Sequence, residues 1–408
     1  MEHKQIDPIE EEYEELKKNL GRVYTPEKFG ELWGGSKYPK PFVPFNRDAS
    51  RDAILHFVDG IGDFNPIFRD EVYASRTKYK RIIAPPCFLF SVLWAGTGIE
   101  SKTGVHGWYS GSEWEWFRPI HVNDEINWKT IQPYDLKLTT GAMAGRLLIM
   151  YNQDRFMLRT KGNQEKMIAI HKGWAINAEK NEAISKGKNL NLGKHVYSDE
   201  EIKRIRNAQE SEIIRGDAPR YWEDVEVGEE ITPIVHGPLT INEMIVWLIG
   251  AGNMFNRSDR LWRVLHEKHP DAELGFYDPD LKTMLNVELP HIDDTLARLV
   301  GLPGAYDFGS QRVTWMSHLL TNWLGDEGFL WKMRVELRGF NVVGDTTWFR
   351  GKVTRKYSED GRYCVDIECW GENQRGEVTT PGTATAILPS RDHGPVIYPS
   401  PRPVIDSK

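Results

Sequence analysis

Two short stretches put acids, an imidazole and turn residues where proton transfer could be arranged. The first, "GDFNPIFRDEVYA", sets Asp63 and Asn65 ahead of Pro66, with Phe68 where a proton-handling side chain would be most useful. The second, "VELPHIDDTLARLV", gathers Glu288, His291, Asp293 and Asp294. A carboxylate and an imidazole a few residues apart can grip one water between them, as general acid–base catalysis requires. Local roles compete with that chemistry. Asp63 follows Gly62 and suits the end of a helix and an Asn-Pro turn, and Asp293 stands before an apolar helical run as a favoured N-cap. Further on, Gly309 precedes Ser310 and Gln311 and would let backbone approach a ligand closely.

The elements that must position these residues occur twice. "RDAILHFVDGIGD" and "INEMIVWLIGAGN" are both apolar at helical spacing and end in Gly followed by Asp63 or Asn253. "EWFRPIHVNDEINW" and "ELRGFNVVGDTTW" both read as strand, turn, strand, with Asp124 and Asp345 at equal distances from the opening Glu. An internal duplication follows. "CFLFSVLWAGTGI" in the first copy and "QRVTWMSHLLTNWL" in the second are too apolar for surface helices and should be buried. Strands are expected at "EWEWF", "INWKTI", "RLLIMYNQ" and "IAIHKGWAI", then at "FLWKMRVELRGF", "TTWFRGKVTRKY", "RYCVDIECWGE" and "TPGTATAI". The expected fold class is therefore α+β: two hot-dog folds in tandem, a double hot-dog, each an antiparallel sheet wrapped around a central helix. The expected division is a helical extension over 1–44, a first hot-dog over 45–178 and a linker with a short helix over 179–218. A second hot-dog over 219–390, carrying an inserted segment at 255–290, and a proline-rich tail over 391–408 complete it.

Composition narrows the function. The 408 residues carry 40% hydrophobic and 11% aromatic side chains, ample for packed cores, and a net charge of −7, which argues against a general binder of nucleic acid or anionic membrane. The acidic start lacks the apolar core of a signal peptide, and no run reaches the ~18 apolar residues of a membrane span, so a cytoplasmic protein without membrane attachment is expected. Three cysteines make no disulfide framework. Dinucleotide, zinc-protease and nucleophile-elbow patterns are incomplete, and neither a metal nor a redox cofactor is expected.

"GDFNPIFRDEVYA" followed by "APP" resembles the signature of MaoC-like hydratases and dehydratases, with Phe68 in place of the family's His. "PHIDDTLARLVGLPGAYDFGSQR" resembles the His-x-Asp end of the same pattern, with Ala297 as far from His291 as Ala74 is from Phe68. The first half is similar to a FAS1-like dehydratase region. This resemblance implies a fused double hot-dog that hydrates an enoyl or dehydrates a 3-hydroxyacyl coenzyme A thioester, with coenzyme A as part of the substrate. It implies His291 as acid/base, Gly309 as donor to the thioester oxygen, Asp293 or Glu288 as carboxylate, and Asp63 with Asn65 as the remains of a first-half site. Phe68 would line an acyl pocket, and the four cations of "SRTKYKR", Arg76, Lys78, Lys80 and Arg81, would hold coenzyme A phosphates, with Arg312 as a further substrate contact. Neither half holds a full Asp/His pair. A hot-dog thioesterase, or a non-catalytic subunit lending its pocket to a separate MaoC-like partner, are the alternatives; a homodimer is the expected assembly.

Overall fold

Strict alternation builds the sheet: in the strand Thr347–Glu359, Thr347, Phe349, Gly351 and Val353 are buried while the residues between them face outward. The computed structural model describes residues 7–29, 46–94, 104–141, 145–160, 162, 164–179, 193–253, 255–268 and 275–402. The first half contributes strands β1 (Val23–Tyr24), β2 (Ile83–Ala84), β3 (Val105–Trp116), β4 (Ile120–His121), β5 (Ile126–Thr139), β6 (Leu147–Arg159) and β7 (Glu165–Glu179). The second contributes β8 (Glu230–His236), β9 (Gly275–Asp278), β10 (Thr283–Asn286), β11 (Phe329–Glu336), β12 (Thr347–Glu359), β13 (Arg362–Asn373) and β14 (Val378–Leu388).

Ten of these form one sheet in the order β1-β5-β6-β7-β3-β11-β14-β13-β12-β8. The halves join edge to edge where β3 pairs antiparallel with β11, Trp114 opposite Met333. Each half thereby covers the edge the other would leave open. The duplication expected from the sequence has a geometric counterpart: Asp124 Oδ2 accepts from His121 N at 2.9 Å, and Asp345 Oδ2 accepts from Val342 N at 3.1 Å.

Helices are α1 (Pro8–Lys18), α2 (Arg51–Ile61), α3 (Pro66–Arg69), α4 (Glu71–Arg76), α5 (Asp199–Glu210), α6 (Ile241–Ala251), α7 (Asp259–Lys268), α8 (Asp294–Leu299) and α9 (Gly309–Leu324). Helix α9 is the central helix of the second half, buried at every position from Ser310 to Leu320. Its counterpart differs from expectation. "CFLFSVLWAGTGI" begins as a 3-10 turn over Pro86–Ser91 rather than an α-helix, since Pro85 and Pro86 bring no N–H to a helical ladder, and its end lies outside the described residues. Linker helix α5 carries the anticipated capping box between Ser198 and Glu201, and α6 carries another between Thr240 and Glu243.

The duplicated helices α2 and α6 cross at glycines. A Cβ on Gly250 would lie 2.3 Å from the His56 carbonyl oxygen and 2.9 Å from Phe57 Cα, and one on Gly60 would lie 3.0 Å from the Val246 oxygen. Both obstacles are backbone, which cannot rotate aside. Gly250→Ala is therefore expected to destabilise the chain by about 1–3 kcal/mol, read as a lower urea midpoint at unchanged slope. An unchanged midpoint would mean that the helices slide apart freely.

Candidate active site

A cavity of about 460 Å³ opens between the halves. Trp94, Tyr109, Met150 and Asn177 of the first half face Glu288, His291, Phe308 and Gly309 of the second across it. His291 lies in a one-turn 3-10 helix, Leu289–His291, and is held on both sides: its ring stacks on Phe308 at 3.8 Å and tilts against Tyr306 at 4.1 Å between centroids. Its Nδ1 lies 2.9 Å from the Tyr306 carbonyl oxygen, which can only accept. Nδ1 therefore carries the hydrogen, and in the neutral ring Nε2 presents a lone pair.

Glu288 Oε2 stands 3.7 Å from that Nε2, too far for a direct hydrogen bond and close enough for one water to touch both. The two side chains are only 14% and 13% exposed. Burial pushes the Glu288 carboxyl up to about 7, with the Asn253 amide beside it offsetting part of the rise, although Asn253 Nδ2 makes no hydrogen bond of normal geometry. Burial also draws His291 down to about 4, against the opposing effect of the Tyr306 carbonyl. At neutral pH the pair is thus a neutral imidazole beside a carboxyl near its midpoint. Separated values of this kind assign acid and base roles.

The start of α9 completes the site. Phe308 supplies no side-chain cap, so the first N–H groups of the helix have no partner within it, and Gly309 and Ser310 line the cavity. They make a donor site for developing negative charge, reinforced by the helix dipole. Gly309 is required by close packing, because a Cβ there would meet Leu337 Cδ1 at 2.5 Å and Tyr109 Cδ1 at 2.9 Å.

Several residues expected at the site are placed elsewhere. Asp293 is the N-cap of α8, its Oδ1 accepting from Thr295 N and Leu296 N, and it does not line the cavity that holds His291. Asp294 accepts from Ala305 N and pairs with Lys194. Arg312 lies at the cavity wall but is locked on Asp307, with Nε 2.7 Å from Oδ2, and also donates to the Gly339 carbonyl, so its guanidinium is already occupied. Arg76, Lys80 and Arg81 are exposed and line neither described cavity, and Lys78 is bound to the Glu327 carboxylate and carbonyl. Asn65 caps α3 through Ile67 N. With Phe68 it lines a second, smaller cavity of about 70 Å³ against the end of α9.

Asp63 is brought not to His291 but to His318, a residue of α9 that sequence reasoning missed. Its Oδ1 lies 3.5 Å from His318 Nε2, which is 2.9 Å from Glu212 Oε1 just beyond the linker helix. His318 and Asp63 are sealed, with side chains 0% and 1% exposed, and neither lines either of the two described cavities. Burial raises the Asp63 carboxyl; the two carboxylates raise His318 despite its own burial, and His318 lowers Glu212. The signal available was a lone histidine in the helix expected to be buried.

The comparisons agree with this architecture. Residues 40–159 match the family described as FAS1-like, dehydratase domain region. The chain is a double hot-dog protein whose first half is similar to that region over the matched residues. A solved structure described as a MaoC-like dehydratase superposes with a TM-score of 0.59 at 14% identity, covering 91% of this chain and 98% of that one. A UPF0336 protein of Streptomyces avermitilis is 28% identical over 101 residues, 22% of this chain and 63% of that protein. Another, from Thermobifida fusca, is 28% identical over 120 residues, 27% of this chain and 66% of that protein. The chain thus spans less than two thirds of the length of these curated relatives. In this double hot-dog the region that matches the family model keeps its Asp63 loop in the core, and the Glu288 and His291 side chains that line a cavity lie in the other half. Among the described residues no group of three or more His, Cys, Asp and Glu could hold a metal ion, and no helix is long and apolar enough to cross a membrane.

Glu288 makes stability depend on pH. Its carboxyl has an ordinary value of 4.5 and is raised to about 7 on folding, so its contribution is fully present below about pH 4.5 and is lost as the pH rises through 7. Glu288→Gln should match the wild type in acid and exceed it above pH 7 by up to about 3 kcal/mol. Urea titrations at both ends of the range check this; equal stability at pH 8 would refute a buried, raised carboxyl.

Proposed function

We propose that the protein is a hydro-lyase acting on an acyl coenzyme A thioester, hydrating the enoyl form or dehydrating the 3-hydroxyacyl form. The observation that carries the reading is the pair of Glu288 and His291 in one cavity with the uncapped start of α9. In hydration, His291 Nε2 takes a proton from the bridging water as its oxygen bonds to C3. Negative charge moves to the thioester oxygen, where the N–H groups of Gly309 and Ser310 receive it. Glu288 gives its proton to C2, and the proton on His291 then returns to Glu288 through the next water. Dehydration runs the same steps backwards. The aromatic walls, with Trp94, Trp108, Phe255 and Phe340, favour a bulky or aromatic acyl group over a short one.

Loss of enoyl absorbance on mixing the protein with short, branched and aromatic enoyl coenzyme A thioesters tests this, with a thiol reagent in parallel. Absorbance lost without thiol is the expected result. Thiol release would make the protein a thioesterase, and activity that appears only with an added MaoC-like subunit would make it a partner-dependent component.

A further inference from the structure

A second polar assembly, wholly in the first half, reaches the same cavity from behind. Ser112, His171 and Asp154 lie on the adjacent strands β3, β7 and β6, with Asp154 directly opposite His171. Ser112 Oγ is 2.9 Å from His171 Nε2, and His171 Nδ1 is 2.7 Å from Asp154 Oδ2, to which Asn152 Nδ2 also donates at 2.8 Å. The three are 0%, 1% and 3% exposed, and Trp114 and Phe90 pack on the imidazole. The order is that of a serine hydrolase triad, but Ser112 lines neither cavity and bonds at its front to the Tyr109 hydroxyl. A sealed serine has no access to an ester or thioester.

The proton positions give the assembly a direction. Asp154 accepts, so His171 Nδ1 carries a hydrogen, and in the neutral ring Nε2 accepts either from Ser112 at 2.9 Å, with Tyr109 donating to Ser112, or from the Tyr109 hydroxyl at 3.2 Å, with Ser112 donating to Tyr109. Either way the Tyr109 hydroxyl hydrogen is consumed, leaving none for a substrate. What Tyr109 offers the cavity is its ring, which lines it and packs on Gly309 so closely that a Cβ there would stand 2.9 Å from Cδ1. We infer that Tyr109 is a positioning residue for the Gly309 donor site, held in place by the buried Ser112–His171–Asp154 chain. The inference rests on the hydro-lyase reading for its catalytic consequence. It makes the first half a working wall of the site in the second.

The test compares Tyr109→Phe, Ser112→Ala and the double variant in enoyl hydration. Each single substitution should lower kcat roughly ten- to a hundredfold with KM little changed, because orientation at the donor site is lost while the rest of the cavity stays. The double variant should be no worse than Tyr109→Phe alone, since both cut one chain. Unchanged kcat with a lowered thermal midpoint, additive losses, or labelling of Ser112 in the wild type by a fluorophosphonate would each overturn the inference. A readout free of turnover separates it from the hydro-lyase reading: the low-field proton resonance of His171 Nδ1–H should vanish in Asp154→Asn and shift in both Tyr109→Phe and Gly309→Ala. Those shifts in a chain that turns over no thioester would sink the reaction and keep the positioning role. A resonance indifferent to Tyr109→Phe and Gly309→Ala would sink the role itself.

Discussion

Replacing His291 by Ala should lower the rate of enoyl hydration by about 10²- to 10⁴-fold, the usual weight of a positioned acid or base. The loss should fall on kcat, because the cavity walls that hold the thioester remain. The pH profile carries more information than the loss itself. Hydration requires His291 neutral and Glu288 protonated, and burial sets these at about 4 and about 7. Activity should therefore be highest between those values and decline above pH 7 as Glu288 ionises. Glu288→Gln should remove that upper decline together with most of the rate. Activity that climbs steadily from pH 6 to 9, or a His291→Ala variant with wild-type kcat, would dismiss the pair as the working acid and base.

Substituting Leu for His318 should have the largest effect on stability, about 3–5 kcal/mol, because it leaves the buried Asp63 and the partly buried Glu212 without their cation. Asp63 is held by the turn to Asn65 N at 2.8 Å, and Glu212 by Asn322 at 2.7 Å, so neither can swing out to water easily. The sign with pH is determined. His318 is raised on folding, so its stabilising contribution is present below its unfolded value of 6.5 and is lost as the pH rises through the folded one. The side chain in His318→Leu binds no proton, so the deficit should be larger at pH 6 than at pH 9. Urea titration at these two values would measure it. A deficit equal at both values would point to lost packing rather than lost charge. His318→Gln, wherever it folds, should keep turnover, because the sealed pair lines neither described cavity; loss of turnover in folded His318→Gln would move the active site to the first half.

Much of the frame was legible because it rests on local periodicity. Alternation located the eight long strands, helical spacing located α2, α6 and α9, and the Ser198–Glu201 pattern located the start of α5. Strands β1, β2, β4, β8, β9 and β10 escaped notice: two to four residues carry no clear period, and Pro233 interrupts the seven-residue β8. His291 and Gly309 were named through their neighbours in sequence and Glu288 as a stand-in carboxylate, and the structure places all three on one cavity. Asp293 was misplaced because capping and catalysis ask for the same residue type, and only the bonds to Thr295 and Leu296 decide between them. The basic run from Arg76 to Arg81 misled for a related reason: charge can be counted in a sequence, but its ion-pair partner, Glu327 for Lys78, lies some 250 positions away.

By itself the sequence determined the duplication, the α+β class and the chemistry available at Glu288 and His291, all carried by residues close together in the chain. Only the tertiary structure decided which groups meet. The join of β3 to β11 places Tyr109 of the first half against Gly309 of the second, and the burial of α9 carries His318 to Asp63 and Glu212. The physical reason is common to both. Burial and long-range pairing set the acidity of a carboxyl and the partners of a histidine, and these depend on packing between segments hundreds of residues apart, where no local pattern reaches.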